Sequence, residues 1–265
     1  MSPGIFALAS VSSSRLAGAW YRIFSGEEDG WTFQALERAV VGYGGPTLLV
    51  IGASDEGGRT ATLGAYTATG WERRRGFYGG PDCFLYRLAP ELGVCRPLPR
   101  VGTRGGNYMF LRSDASVAPY GGPAGGDGPA RGLGFGGALG SPRLFVDDSL
   151  ETVTVSDRDT SFGPGDLGPP RSARDSLPGS RRAHRIDTLE VFAVGDASTV
   201  IAGLDARGTR RDAADAALRN ARTVDRAAFL GDLREGGGKN FAHRGQVDGR
   251  AHGYLKGEDG KTNGL

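Results

Sequence analysis

The side chains in this sequence that could do chemistry are few and widely spaced. Two cysteines, Cys83 and Cys95, and three histidines, His184, His243 and His252, make up the whole soft-ligand and imidazole inventory. A structural zinc site needs four such ligands in paired short spacings, and neither C-x-x-C nor H-x-x-x-H occurs. A serine hydrolase would show its nucleophile in a G-x-S-x-G elbow. None is present, and the histidines fall late, in polar or glycine-rich settings. Cys83 opens an apolar strand and reads as an inert buried thiol. Cys95 stands beside the cation Arg96, which makes it the candidate redox residue.

Two further patterns resemble binding motifs, and their contexts argue against that use. Gly132-Leu133-Gly134-Phe135-Gly136-Gly137 fits G-x-G-x-x-G, but a dinucleotide fingerprint must open a long helix. Here Ala138-Leu139-Gly140-Ser141-Pro142 breaks any helix, so close backbone packing is the better account of the glycines. Gly260-Lys261-Thr262 resembles the end of a phosphate loop, yet Leu255 occupies the position where that loop needs its first glycine. Asp147, Asp148, Asp157, Asp159 and Asp166 could gather around a hard cation. They lack EF-type spacing and sit where acids cap turns, so neither a metal nor a cofactor is expected.

Composition narrows the classes further. Lys+Arg 32 against Asp+Glu 30 leaves a net charge of +2, too balanced for the basic footprint of a nucleic-acid binder. Hydrophobic residues at 38% and charged residues at 23% suit a folded domain, while Gly 46 and Pro 14 demand frequent turns. Two cysteines and no N-x-[ST] sequon agree with a reducing compartment. No apolar run approaches the ~20 residues of a membrane helix. Residues 1–19 have no acid and several serines, which suits either a plain lead-in or an organellar transit segment.

The elements that must position these residues are mostly strands. Trp20-Tyr21-Arg22-Ile23-Phe24 is aromatic and β-branched. Phe33, Leu36, Val40 and Val41 recur at three-to-four spacing, which predicts a short helix capped by Thr32. Thr47-Leu48-Leu49-Val50-Ile51 is continuously apolar and reads as a strand buried on both faces. It should pair with Ala61-Thr62-Leu63-Gly64-Ala65-Tyr66 across the turn at Asp55-Glu56-Gly57-Gly58. Further strands are expected over residues 83–88, 108–111, 143–146 and 188–194, with loops over 120–132 and 164–185. Residues 196–208 read as a linker. An amphipathic helix over 209–235 comes next, with Leu218 and Val224 on its apolar face, Thr209 and Asp212 as its capping pair and Gly236-Gly237-Gly238 as its stop. Residues 236–265 form a Gly-rich polar tail.

Taken in order, several strings resemble one family, the TLDc domain of the oxidation-resistance proteins. Pro46-Thr47-Leu48-Leu49-Val50-Ile51 is similar to its P-x-L-L-V-I strand, and Phe77-Tyr78-Gly79-Gly80-Pro81-Asp82-Cys83-Phe84-Leu85-Tyr86 to its F-Y-G-x-x-E-x-F-L-Y string. Leu133-Gly134-Phe135-Gly136-Gly137 resembles its F-G-G segment, Ser161-Phe162-Gly163 its T-F-G, and Asp187-Thr188-Leu189-Glu190-Val191-Phe192 its closing D-x-E-V-W. The likeness spans residues 20–195. Asp82 stands where the family has Glu, and the loop from Tyr120 to Arg131 is longer and richer in Gly and Pro.

The resemblance implies an α+β fold, a two-sheet antiparallel β-sandwich with flanking short helices, and a role in resistance to oxidative stress. It also implies protein partners, because several members bind the V1 sector of the vacuolar-type proton pump, in some cases through a helix C-terminal to the domain. No established chemistry of the family demands the acid at Asp82, so a non-enzymatic interaction module is expected, cytoplasmic or held on an organelle membrane by its partner. Candidate partner contacts are Leu218, Val224, Phe229, Leu230 and Leu233 of the helix, with Phe241, His243 and Arg244 of the tail. The helix could equally pack back on its own domain. A structural subunit that uses this arm as a clamp, and a thiol-dependent antioxidant enzyme, are the alternatives of other classes.

Overall fold

The computed structural model describes residues 14–74, 76–99, 106–113, 131–171 and 180–236, with the backbone alone at 14–15, 218 and 220–236. Among the described residues, ten strands run in chain order: β1 (Ala19–Ser25), β2 (Thr47–Ser54), β3 (Thr60–Thr67), β4 (Cys83–Ala89), β5 (Gly93–Cys95), β6 (Met109–Arg112), β7 (Gly132–Phe135), β8 (Leu144–Asp147), β9 (Thr152–Val155) and β10 (Arg182–Gly195). Helix α1 (Gly26–Asp29) and helix α2 (Phe33–Val40) lie between β1 and β2, and α3 (Ala197–Gly236) comes after β10. The amide of Ala35 donates to Thr32 Oγ1 at 3.2 Å, the cap that the α2 sequence predicts.

Every ladder is antiparallel. The expectation of two separate sheets is corrected here: hydrogen bonding runs without a break through β5-β4-β3-β2-β10-β9-β8-β7-β6, with β1 added beside β10. Strand β10 makes this possible. It pairs with β2 over Arg185–Ala193, while its other edge is shared by β9 (Arg182–Arg185) and then β1 (Glu190–Gly195). The register against β2 slips between Ile186 and Thr188, leaving Asp187 as an extra residue where the opposite edge changes partner. Such a bulge bends the strand and increases its twist. Ser54 Oγ donates to Asp187 Oδ1 at 3.1 Å and fixes the bulged residue.

One core serves both wings of the sheet. Leu49, Ile51, Leu63 and Leu85 from the first wing join Met109, Leu111, Leu133, Phe135, Leu144, Val146, Val153 and Val155 from the second in a single buried cluster, completed by Phe33, Leu36 and Val40 of α2. The other face of the first wing is also covered, by Leu16, Leu48, Tyr66, Phe84, Tyr86 and Val194. Strand β2 is therefore buried on both faces, as its unbroken apolar run predicts.

The linker expected over 196–208 is helical. Asp196 caps the helix, its Oδ2 accepting the Thr199 amide at 3.1 Å, and Thr209 instead lies inside α3 with its hydroxyl on the Asp205 carbonyl at 3.1 Å. The strand expected from Thr188 begins at Arg182, six positions earlier. Residues 120–130 of the first loop, 172–179 of the second and the tail from 237 lie outside the described residues.

The chain divides into two compact units, one ending at Arg210 and one from Arg211 to Leu265. Because the wings of the first unit share a core, Leu63→Ala and Leu133→Ala should each lower the same unfolding transition by about 2–5 kcal/mol. Two resolved transitions in denaturant, each moved by one variant alone, would show that the wings fold independently.

Candidate functional site

The most polar cluster inside the domain centres on Arg143, which is 0% exposed and sits just before β8. Its Nη1 lies 3.3 Å from Asp159 Oδ1, and its Nη2 donates to the carbonyls of Gly165 at 2.6 Å and Gly163 at 3.4 Å. The same Nη2 lies 3.6 Å from the Cys95 sulfur on β5. Asp159 in turn accepts the amides of Gly137 at 2.7 Å, Ser161 at 2.8 Å and Phe162 at 3.2 Å. A charge in an apolar interior is tolerated when it is paired and its remaining valences are filled. Both conditions are met here, apart from Arg143 Nε, which has no acceptor among the described residues.

Gly136 and Gly137 are fitted to this pair. Their φ values are +69° and +68°, a region that disfavours side chains, and a Cβ on Gly136 would stand 2.7 Å from Asp159 Oδ2. Gly134 lies in β7, where a Cβ would meet the Phe110 ring at 2.4 Å. Close packing thus accounts for the G-x-G-x-x-G string, which leads into a turn and strand β8 rather than a helix.

The structure places both thiols in the core. Cys83 and Cys95 are free and buried. Since Leu85 opposes Cys95, the two cysteines are diagonal neighbours on one face. That geometry sets them ~7–8 Å apart, too far for a disulfide without backbone movement. Burial pushes Cys83 up to about 12 and also raises Cys95, with Arg143 opposing the rise. Arg143 reaches the Cys95 sulfur, and the candidate redox residue is shielded from solvent. Four of the five carboxylates that could have gathered a cation pair with arginine, Asp148 with Arg131, Asp157 with Arg171, Asp166 with Arg171 and Arg182, and Asp159 with Arg143, while Asp147 Oδ1 accepts the Thr152 amide at 3.2 Å.

The first turns of α3 dock on the domain. Val200 is buried with Tyr43 and Ala193, and Leu204 packs against them. A Cβ on Gly203 would approach the Tyr43 ring to 2.9 Å, so the glycine permits close contact between helix and ring. Burial raises the Tyr43 phenol above its ordinary range. Arg207 donates to the Ala39 carbonyl, in the last turn of α2. None of these four helix residues carries a signal that marks a helix start, because Gly203 and Gly208 suggest a linker. Of the expected partner contacts, Leu218, Val224, Phe229, Leu230 and Leu233 lie on the backbone of α3, while Phe241, His243 and Arg244 lie outside the described residues.

A TLDc domain profile matches residues 6–195. The chain belongs to the TLDc domain family. It is 26% identical over 196 residues to MTOR-associated protein MEAK7 of Gallus gallus, covering 73% of this chain and 35% of that protein. Identity to the Homo sapiens MTOR-associated protein MEAK7 is 26% over 182 residues, 68% of this chain and 33% of the relative. With Oxidation resistance protein 1 of Bos taurus it is 26% over 106 residues, 40% of this chain and 11% of the relative. The chain thus spans no more than about a third of these curated relatives, 35% at most. No helix among the described residues is long and apolar enough to cross a membrane.

Of the TLDc motif residues, Phe77, Tyr78 and Gly79 tie the first wing to β6. Tyr78 exchanges backbone hydrogen bonds with Met109 at 2.8 and 3.1 Å, and its hydroxyl accepts the Glu72 amide at 2.8 Å. Phe77 meets Phe110 edge-on at 5.1 Å, and Gly79 takes a φ of +96° beside Met109. Asp82 is exposed, and its backbone carbonyl accepts the Ala68 amide at 3.1 Å. Gly163 donates its amide to the Arg96 carbonyl at 2.8 Å.

Two measurements test these buried groups of the TLDc domain. Arg143→Ala strands the buried Asp159 carboxylate and should cost about 3–5 kcal/mol in urea unfolding; a loss below about 1 kcal/mol would show that the pair contributes no more than a surface bridge. The Cys83 thiol, raised from 9.0 to about 12, keeps its proton in the folded state when the unfolded chain gives it up. Its contribution is full below pH 9.0 and is lost as pH rises through about 12. Stability should fall across that window, less steeply in Cys83→Ala, and neither thiol should react with a disulfide reagent at neutral pH until the protein unfolds.

Proposed function

We propose that this TLDc domain is a non-enzymatic interaction module that regulates a large assembly by docking on it, and that α3 takes part in the contact. The observation that carries this reading is the inward disposition of the two cysteines and of the Arg143–Asp159 pair. The cysteines are buried, Arg143 and Asp159 are spent on each other and on backbone, and the acids at 157 and 166 are matched by arginines. A site for acid, base or nucleophilic chemistry needs such groups open to a substrate. What the domain offers to solvent is surface, together with the 40-residue helix α3.

The family gives this surface a direction. The names of the relatives connect one with MTOR and another with oxidation resistance. The V1 sector of a vacuolar-type proton pump is the assembly we propose, on the strength of the likeness to TLDc members that bind it. A thiol-dependent antioxidant activity draws no support from two cysteines whose burial holds them protonated.

The test uses the full chain as bait on detergent-solubilised native membranes at low salt. Pump subunits should be captured, and Phe229→Ser/Leu230→Ser/Leu233→Ser should reduce capture about tenfold without lowering the melting temperature, as expected when an apolar anchor is lost from an interface. Absence of pump subunits from the wild-type capture would refute the proposed assembly. A constant one-to-one stoichiometry under all growth conditions would instead mark a structural subunit.

A further inference from the structure

A groove on the first unit presents two arginines, Arg73 and Arg210, at its lining. It has a volume of about 420 Å³ and is walled by residues 41–44 on one side and 70–73 on the other, with Arg210 of α3 at its edge. Arg210 gives Nε to the Ala206 carbonyl at 3.1 Å, which leaves both Nη groups without an acceptor among the described residues. Arg73 pairs with Glu37 of α2, its Nε 3.5 Å from Oε1, and is 56% exposed. Glu72 is the one carboxylate lining the groove, and Arg74 engages it at 2.6 Å.

The frame around these two cations is rigid. Trp71 is buried and donates its indole N–H to Thr47 Oγ1 at 2.8 Å. Tyr43 is held under Gly203 of α3, and Arg207, one turn before Arg210, is tied to Ala39. Gly44 is exposed, and a Cβ there would meet nothing within 4 Å, so an extended chain can come close to this wall. A preformed site loses less conformational freedom on binding than a mobile one.

We propose that this groove takes an acidic peptide segment of a partner protein, with Arg73 and Arg210 each receiving a carboxylate. This rests on the interaction-module reading and names the chemistry of one of its contacts. Guanidinium matches carboxylate in a planar two-point geometry that an ammonium cannot reproduce. A nucleic acid would need a longer track of cations than two arginines supply. The half-buried Val41 in the groove lining suits an aliphatic side chain placed between the acids.

The experiment measures fluorescence anisotropy at low salt with a fluorescein-labelled Glu-Leu-Glu peptide flanked by glycines, on the full-length protein. Binding is expected for this probe and not for its Gln-Leu-Gln counterpart. Arg210→Ala should weaken it about tenfold, as the loss of one charge-assisted pair predicts. Arg73→Lys, which keeps a cation beside Glu37 while removing the fork, should weaken it as well. Arg185→Ala, at a strongly exposed arginine in a different groove, should leave binding unchanged. Equal binding of the Gln peptide, no binding at all, equal weakening by Arg185→Ala, or displacement by inorganic phosphate at equimolar concentration would overturn the proposal. The membrane capture separates the two readings: pump capture without Glu-peptide binding removes the groove alone, whereas Glu-peptide binding without pump capture removes the assembly and keeps the groove.

Discussion

The buried ion pair of Arg143 and Asp159 is the constraint on which the closure of this domain depends. Removing two charges from water is costly, and their attraction alone seldom recovers the loss. Here the balance is shifted by five further contacts with backbone: three amides point at Asp159, and two carbonyls receive Arg143. These contacts come from the Gly136-Gly137 turn and from the 157–165 loop, while the contact with Cys95 brings in β5 of the other wing. The pair therefore sets where an irregular loop crosses between the two ends of the sheet. An apolar replacement could fill the space, but it would leave those amides and carbonyls without partners.

Strand β10 does at the middle of the sheet what the pair does at its ends. A sheet of ten strands cannot bury one common core while it stays open, and the extra residue Asp187 supplies a bend where the strand changes neighbours. Leu49 and Leu63 can then lie in the same cluster as Leu133 and Val153. The charged pair that enters this shared core, Arg143 and Asp159, is spent on holding loops.

Legibility in the sequence tracks the apolar patterns. Strands β2, β3 and β4 can be read because uninterrupted runs such as Leu48-Leu49-Val50-Ile51 have few other uses, and α2 because Thr32 announces it. Strand β7 is not legible: its composition, Gly-Leu-Gly-Phe, opposes strand propensity, and its place comes from Phe110 packing over Gly134 and from pairing on both sides. Thr152-Val153-Thr154-Val155 does carry a period-two signal that could have found β9. Arg143 resists reading for a different reason. An arginine at the start of a strand normally faces water, and nothing local distinguishes one that is 0% exposed; its partner lies sixteen residues on, in a turn. The start of α3 is concealed by Gly203, although Asp196-Ala197-Ser198-Thr199 holds the cap in plain view.

That glycine changes where the domain ends. The family match stops at residue 195, yet the compact unit runs on to Arg210, because Val200, Leu204 and Arg207 complete the cover over Tyr43, Ala193 and the last turn of α2. Helix α3 is therefore not an appendage throughout: its first turns belong to the fold. A Cβ at residue 203 would push on a phenol ring that has no room to retreat, since Tyr43 is itself 2% exposed. Displacing those turns would uncover Tyr43 and carry Arg210 away from Arg73 in a single movement. Stability of the α2 corner and the cationic character of the groove are thus governed by the same three helical turns.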